Sequence, residues 1–291
     1  MTTARARARA EMTADILASA RGQLAVVGPA ALSLRAVARD IGVVSSAVYR
    51  YVASRDDLIT ALLVQCYGEL GRAAEETDVV ARGLDAAEGV VPRRRWRTAC
   101  ATVRQWALDH PHEYALLYGS PVPGYRAPAD TVPAASRVTR VLVGAVVTGW
   151  LAGDEKPATP AGMDANRGTP AAEAGPPDAD GADSADVDDS DSTDAVGVES
   201  TEAVGVESTD AVGTGLTDAV REFLLEEAEG RSLRLDERRI EQAVIAWSSV
   251  FGLVSFELFG HFVGSVIDAP AFFGAAVERI ADDLDLAPDG P

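Results

Sequence analysis

The sequence is poor in the side chains that build disulfide frameworks, metal sites and catalytic centres. Its 291 residues include two cysteines, Cys66 and Cys100, which form neither a CxxC motif nor a pair at metal-binding spacing. It has three histidines, and no serine or cysteine motif of a hydrolase accompanies them. These absences argue against an enzyme, a metal site and a bound cofactor, and both thiols are expected to be structural.

Targeting and membrane signals are also scarce. The first fifteen residues lack the charged-then-apolar order of a signal peptide, and an acid appears by Glu11, so we expect a cytoplasmic protein. Residues 243–267 are apolar on nearly every face and long enough to span a bilayer. However, Glu257 and His261 interrupt this stretch and no basic anchor follows it. Burial between protein helices is therefore the better interpretation.

Charge is distributed unevenly along the chain. The net charge is −19, yet residues 1–60 carry eight arginines against five acids, a local charge of +3. Residues 152–220 hold 17 acids against Lys156 and Arg167, a local charge of −15. The acidity that would repel nucleic acid is thus mostly local, and the amino-terminal segment is able to attract phosphates.

The acidic tract marks the clearest boundary in the sequence. Residues 152–215 contain Ala, Gly, Asp, Pro, Ser and Thr but no aromatic residue, a composition that predicts disorder. An eight-residue unit repeats inside it, as TDAVGVES from Thr193 and TEAVGVES from Thr201. Repeat expansion in a solvated loop explains this pattern most simply. An acidic protein-binding tail or a DNA-mimicking segment is the alternative.

Helical periodicity surrounds this tract. Residues 11–27 carry apolar side chains at three- and four-residue spacing and stop at Gly28, which predicts a first helix. Ser33 is expected to cap a second helix through Asp40, and Gly42 permits a sharp turn before a third helix over residues 44–51. Ser54 and Asp57 resemble a capping box that begins a long fourth helix.

Two short helices joined by a glycine turn form a helix-turn-helix, whose second helix exposes hydrogen-bonding side chains to the major groove. Ser45, Ser46, Arg50 and Tyr51 supply such groups here. The arginines at positions 5, 7 and 9 alternate with alanine and are expected to form a flexible basic arm; a disordered leader is the alternative.

The stretch LSLRAVARDIGVVSSAVYRYVASRDDLITALL resembles the DNA-binding domain of the TetR family of transcriptional regulators, over residues 11–70. The resemblance implies that Ser45, Ser46 and Arg50 contact base edges or nearby backbone. It also implies that Tyr49 and Tyr51 position the domain on the duplex. Two arginines are further expected to contact DNA: Arg55, which stands where the family more often has lysine, and Arg35, near the start of the second helix.

The later sequence resembles the ligand domain of one subgroup of these regulators. The segments are WALDHPHEYALLYGSPVPGYRAP and AWSSVFGLVSFELFGHF; the subgroup's Trp-x3-His-Gly motif has Phe251 in place of the histidine. An aromatic stripe is more often plain core, but an effector pocket for an apolar or aromatic molecule is predicted here. The candidate pocket residues are Trp106, Tyr114, Tyr118, Trp247 and Phe251.

The family's final two helices usually form a dimer interface, so Val254, Leu258 and Phe262 are expected to lie near a homodimer contact. A dimer places two reading helices on successive major grooves of a palindromic operator. The sequence therefore predicts a repressor that a small molecule releases from DNA. The alternative is a protein-interaction module with the same fold that no longer binds DNA.

The predicted architecture is all-α, with an amino-terminal helix-turn-helix domain and a carboxy-terminal helical domain for ligand binding and dimerisation. A long disordered acidic insertion interrupts the second domain. The boundaries are 1–10 for the basic arm, 11–58 for the DNA-binding domain, 59–151 and 216–287 for the two parts of the regulatory domain, and 152–215 for the insertion.

Overall fold

The computed structural model describes residues 3–88, 92–154 and 218–288. Within these ranges the chain forms ten α-helices, two 3-10 turns and no β-strand, which confirms the all-α prediction. Residues 155–217, which include most of the predicted acidic insertion, lie outside the described residues. The helices are α1 (Ala4–Val27), α2 (Leu34–Asp40), α3 (Ser45–Val48), α4 (Arg55–Glu88), α5 (Pro92–Asp109), α6 (Pro111–Tyr118), α7 (Val132–Asp154), α8 (Asp218–Glu227), α9 (Glu237–Leu258) and α10 (Ala269–Asp283).

The amino-terminal core forms where α1, α2, α3 and the start of α4 meet. Its centre is fully buried, and Val48 of α3 faces inward. Gly42 adopts a φ of +73°, and the next residue's N–H donates to the Ala38 carbonyl at 2.9 Å. This left-handed glycine closes the turn between α2 and α3. The buried centre comprises Ile16, Ala20, Val37, Ala38, Val48, Leu58, Ile59 and Leu62.

The first helix differs from the prediction at its amino end. It begins at Ala4, so residues 4–10 extend α1 instead of forming a flexible arm or a disordered leader. Thr3 caps it by accepting a hydrogen bond from the N–H of Ala6 at 3.3 Å. The alternating Ala and Arg residues are strong helix formers, which explains the extension. Gly28 ends the helix at a φ of +71°, as predicted.

The predicted caps of α2 and α4 behave differently. Ser33 is the N-cap of α2, but its side chain makes no capping hydrogen bond; its backbone N–H instead donates to Gln23 at 3.4 Å. Ser54 does cap α4, since its hydroxyl oxygen accepts from the N–H of Asp57 at 3.0 Å. Arg55 then donates to the carbonyls of Pro29 and Ala30 at 2.9 and 2.8 Å. This arginine ties the start of α4 to the turn between α1 and α2.

The carboxy-terminal core lies between helices α5 to α10 and the part of α4 from Cys66 onward. Helices α4 and α7 pack along each other. Trp96 and Trp150 are almost completely buried, and each indole N–H donates to a backbone carbonyl in the last part of the chain. Arg95, 3% exposed, forms a two-pronged ion pair with Asp78, with Nε at 2.7 Å and Nη2 at 3.1 Å from the carboxylate oxygens. These contacts fix α4, α5 and α10 to one another.

The apolar stretch that resembled a membrane span is divided in the structure. α9 ends at Leu258, and turns at Gly260 and Gly264 follow before α10. Glu257 forms a two-pronged ion pair with Arg104 of α5, at 2.7 and 2.5 Å. Among the described residues, none of the helices has the length and apolarity needed to cross a membrane.

Arg55→Ala should lower the free energy of unfolding by about 2 kcal/mol, because it removes two charge-assisted hydrogen bonds to backbone carbonyls. Urea unfolding followed by circular dichroism measures this change. Arg50→Ala is the matched control: its side chain is exposed and makes no hydrogen bond or ion pair in the described structure, so its effect should stay within about 0.5 kcal/mol. Equal stability of the two variants would contradict the tethering role of Arg55.

Candidate nucleic-acid interface and effector cavity

The reading segment, residues 44–51, presents most of its polar side chains to the outside of the amino-terminal domain. Its helical part is a single turn, α3, followed by turn residues 49–51, so the helix is shorter than the sequence predicted. Val48 anchors the segment inward, and Ser46, Tyr49 and Arg50 are exposed as a consequence. Ser45 is half-buried. The exposed side chains are available for contacts with DNA.

The remaining predicted DNA contacts have different surroundings. Arg35 is exposed in the first turn of α2. Tyr51 is half-buried, and the guanidinium of Arg9 lies over its ring at 5.3 Å from the centroid. Arg55 is also half-buried and is held by two backbone carbonyls. Arg55 therefore has a structural role that the resemblance did not indicate, which restricts its guanidinium as a phosphate ligand.

A cavity of about 850 Å³ lies between the two cores. Its walls come from α4, α6, α7, α8, α9 and the loop over residues 119–127, and none of the described residues that line it is charged. Arg140 of α7 holds α8 over the cavity, since it pairs with Glu227 at 2.6 Å and lies 4.9 Å from the ring centroid of Phe223. The aromatic lining consists of Tyr67, Tyr118, Tyr125, Phe223 and Trp247.

Hydroxyl groups supply the cavity's polarity. The Tyr67 hydroxyl donates to the Leu117 carbonyl at 3.3 Å, and the Tyr125 hydroxyl lies 2.9 Å from the Thr60 hydroxyl. Burial raises the pKa of Tyr67 and raises that of Tyr118 well above its ordinary value. These phenols therefore remain protonated and neutral at physiological pH. The lining is able to donate and accept hydrogen bonds but provides no charge to balance an ion.

Only two of the five predicted effector residues reach this cavity, namely Tyr118 and Trp247. Phe251 packs behind them, with its ring centroid 4.4 Å from that of Tyr118. Tyr114 is completely buried and donates to the Phe251 carbonyl at 3.0 Å. Trp106 stacks on His110 at 4.9 Å. These three residues are buried and do not line this cavity, because an aromatic residue in helical register packs equally well into the core, and their role in effector binding stays a prediction.

Sequence reasoning missed Tyr67, Tyr125 and Phe223 as cavity residues. Tyr125 belongs to the Pro- and Gly-containing loop after α6, and no pattern in the sequence showed that this loop folds over α4. Phe223 lies on α8, which follows the acidic tract directly. No pattern in the sequence around α8 indicates that this helix forms a wall of the cavity.

Helix α6 joins the cavity to the amino-terminal domain. Arg21 of α1 donates to Glu113 at the start of α6 and lies 2.8 Å from Glu69 of α4; we call these two contacts the ion-pair bridge. Burial is the largest single influence on Glu113 and alone would raise its pKa, but the hydrogen bond and charge of Arg21, together with a backbone hydrogen bond, lower that pKa. Three cavity-lining residues, Ile59, Leu63 and Leu116, also belong to the amino-terminal core.

The predicted dimerisation residues divide between the inside and the outside of the domain. Val254 is 1% exposed and belongs to the inner face of α9, so its side chain does not reach the surface of the domain, and its place near a dimer contact stays a prediction. Leu258 and Phe262 are half-buried. An apolar patch surrounds Phe262, whose ring lies 5.8 Å from Phe256 and 5.3 Å from Phe272. We define the patch as Phe256, Phe259, Phe262, Val263 and Phe272.

Both cysteines are buried and free, and burial raises the pKa of the Cys66 thiol to about 12. That thiol therefore stays protonated at neutral pH. Within the described ranges, no group of three or more His, Cys, Asp or Glu side chains is placed to hold a metal ion.

Comparisons with known proteins agree on one family. Residues 16–62 match the family model of bacterial regulatory proteins of the tetR family, and residues 96–280 match that of the tetracyclin repressor-like C-terminal domain. The HTH-type transcriptional regulators Mb1846 of Mycobacterium bovis and Rv1816 of Mycobacterium tuberculosis are each 45% identical over 150 residues. The match covers 50% of this chain and 61% of each of those proteins.

Two solved structures share the fold. The crystal structure of SCO4313, a protein described as regulatory, aligns with a TM-score of 0.59 and 26% identity over 96% of this chain and 100% of that one. A Rhodococcus sp. RHA1 protein of unknown function aligns with a TM-score of 0.53 and 18% identity, over 92% of each chain. The family match over residues 16–62, which include the helix-turn-helix, and the match over residues 96–280 show that the chain belongs to the TetR family of DNA-binding transcriptional regulators.

Proposed function

We propose that the protein is a homodimeric repressor that releases a palindromic operator when an uncharged, largely apolar small molecule enters the cavity. One observation carries the proposal: side chains of the amino-terminal core form part of the cavity wall. A ligand there touches side chains that pack into the core of the DNA-binding domain. Because the target is chromosomal DNA, the proposal also places the protein in the cytoplasm.

The reading segment supplies the proposed sequence-specific contacts. Ser46 and Arg50 are exposed and suited to base edges, with Ser45 beside them, while Tyr49 is suited to phosphate positioning. Arg35 is proposed as a further phosphate contact from α2. Tyr51 and Arg55 contribute mainly by holding the domain in shape, since each has a partner within the chain.

The effector's chemistry follows from the lining. A carboxylate or ammonium group would lose its hydration on entry and meet no opposite charge, which costs several kcal/mol. An uncharged ligand loses little by comparison and gains apolar contact with the five aromatic side chains. The tyrosine and threonine hydroxyls are available for one or two polar groups on such a molecule.

Release of DNA requires that the ligand favour a different arrangement of the two reading segments in the dimer. Leu116, Leu117 and Tyr118 line the cavity from α6, and Glu113 at the start of the same helix pairs with Arg21 of α1. A ligand that displaces α6 therefore pulls on the amino-terminal domain through the ion-pair bridge. This supplies the differential contact that coupling between two sites needs.

The second copy of the chain is proposed to cover the apolar patch. Phe256 is 52% exposed and Val263 is 86% exposed, and contiguous exposed apolar side chains of this kind mark association surfaces. A twofold contact through the patch would pair two short reading segments, which a single copy cannot do. Two such segments about 34 to 36 Å apart fit successive major grooves.

Uncharged apolar compounds, each tested beside its carboxylate analogue, should separate the two ligand classes. We expect an uncharged ligand to weaken operator binding about tenfold or more, and its carboxylate to have less than about a tenth of that potency. Fluorescence anisotropy with a duplex selected from a random DNA pool measures the affinity. Ala135→Trp, which fills the cavity, should keep DNA binding and abolish the response, whereas Ala152→Trp, exposed on the same helix, should keep both. A bound ligand that leaves DNA affinity unchanged would refute the release mechanism.

Glu113→Gln should preserve the binding of DNA and of the ligand but reduce the coupling between them. The variant lacks the charge that holds Arg21, so we expect the ligand-induced decrease in DNA affinity to fall to about threefold or less. Glu76→Gln, in an exposed pair with Arg72, is the control and should respond like the wild type. Calorimetric titration of the ligand, with and without DNA, must show the same reduced factor, because linkage is reciprocal. A full response in Glu113→Gln would mean that the bridge does not transmit the change.

Phe256→Asp should shift the protein towards monomers at micromolar concentration, because it places a carboxylate in a desolvated contact. Analytical ultracentrifugation measures the shift. Val26→Asp provides a matched charge change at a side chain that is 83% exposed on α1, far from the patch in the sequence, and it should leave the oligomer intact. A wild-type protein that is already monomeric, or a Phe256→Asp dimer, would contradict the proposed interface.

A further inference from the structure

The first two turns of α1 carry three arginines, and the helix sorts them onto two faces. Arg5 and Arg9 are four residues apart and lie on the same face, whereas Arg7 points to the opposite one. All of residues 4–10 are exposed. A flexible arm would not distinguish these arginines, but a helix does.

The Arg5–Arg9 face lies beside the reading segment. The guanidinium of Arg9 covers the ring of Tyr51, at 5.3 Å from its centroid, and Tyr51 directly follows Arg50 in the chain. This cation–π contact orients the amino end of α1 along the surface that the reading segment presents. Arg5 is then one helical turn further out on the same side.

The charge of this region is not neutralised within the domain. Residues 1–10 contain no acid, and the first carboxylate is that of Glu11. The side chains of Arg5 and Arg7 form neither a hydrogen bond nor an ion pair in the part of the chain that the structure describes. By contrast, Arg21, Arg95 and Arg104 are each paired with a carboxylate. Arg5 thus presents its charge next to a proposed DNA surface in a protein of net charge −19.

We propose that the Arg5–Arg9 face of α1 binds the DNA phosphate backbone next to the base pairs covered by the reading segment, and so extends the footprint of each protomer. The inference rests on the proposed DNA binding. Continuity with the reading segment and charge complementarity identify duplex phosphate as the partner. Arg5 makes the contact, and Arg9 both contributes charge and positions the helix through Tyr51.

The salt dependence of operator affinity tests this inference. Removing one arginine–phosphate interaction should reduce the slope of log K against log salt by about 0.9, so Arg5→Ala should reduce it by about 1.8 for a dimer. Arg7→Ala removes the same charge two residues away, from the opposite face, and should leave the slope within about 0.5 of the wild type. Both replacements keep a strong helix former, so the helix should persist, and circular dichroism verifies this.

A third variant separates a rigid helix from a flexible arm. Ala8→Pro keeps every arginine but interrupts α1 between Arg5 and Arg9, so it should reduce the salt slope as Arg5→Ala does. An unchanged slope in Arg5→Ala, or equal effects of Arg5→Ala and Arg7→Ala, would overturn the proposal. A wild-type slope in Ala8→Pro would overturn the helical placement. If the wild-type protein binds no duplex at all, the proposed function itself fails, and that result is distinct from each of these.

Discussion

Arg21 lies between two carboxylates that come from different parts of the chain, Glu69 of α4 and Glu113 of α6. The contact is only partly exposed, and charged pairs of this kind are costly to break because the remaining charge stays desolvated. Around it, Leu116 packs into the amino-terminal core while Leu117 and Tyr118 line the cavity. The position of α6 relative to the DNA-binding domain, and hence any communication between cavity and DNA, depends on this group of contacts.

Two further ion pairs join helices of the carboxy-terminal domain to one another. Arg95 and Asp78 join α5 to α4, and Arg104 and Glu257 join α5 to α9, each with two short contacts in a largely buried setting. Such pairs fix orientation more than they add stability, since desolvation offsets much of their attraction. Helices α4 and α9, which both contribute to the cavity wall, are therefore fixed to α5.

Local patterns in the sequence predicted most helices of the amino-terminal domain but not the lining of the cavity. Apolar spacing and left-handed glycines identify α1, the turn at Gly42 and the inward position of Val48, because each of these depends on neighbours in the chain. The lining of the cavity depends on which helices meet. Tyr114 precedes the lining residue Tyr118 by one helical turn, yet it is buried in the core and donates to the Phe251 carbonyl of α9. Val254 illustrates the same limit, since Phe256, two residues later, takes the outer face. The tether from Arg55 to the carbonyls at positions 29 and 30 leaves no trace in composition or spacing.

Electrostatics set the final constraint on how such a chain binds DNA. A net charge of −19 opposes approach to a polyanion, so binding depends on a small number of arginines concentrated in the first 60 residues. Several arginines are committed elsewhere: Arg21 to the ion-pair bridge and Arg55 to backbone carbonyls. The cations that remain for phosphate lie at exposed positions of α1, α2 and the reading segment. Salt screens both the long-range repulsion between the acidic protein and DNA and the short-range contacts between arginines and phosphates. The balance between these two effects, and not the total charge, therefore determines the salt range in which the protein binds DNA.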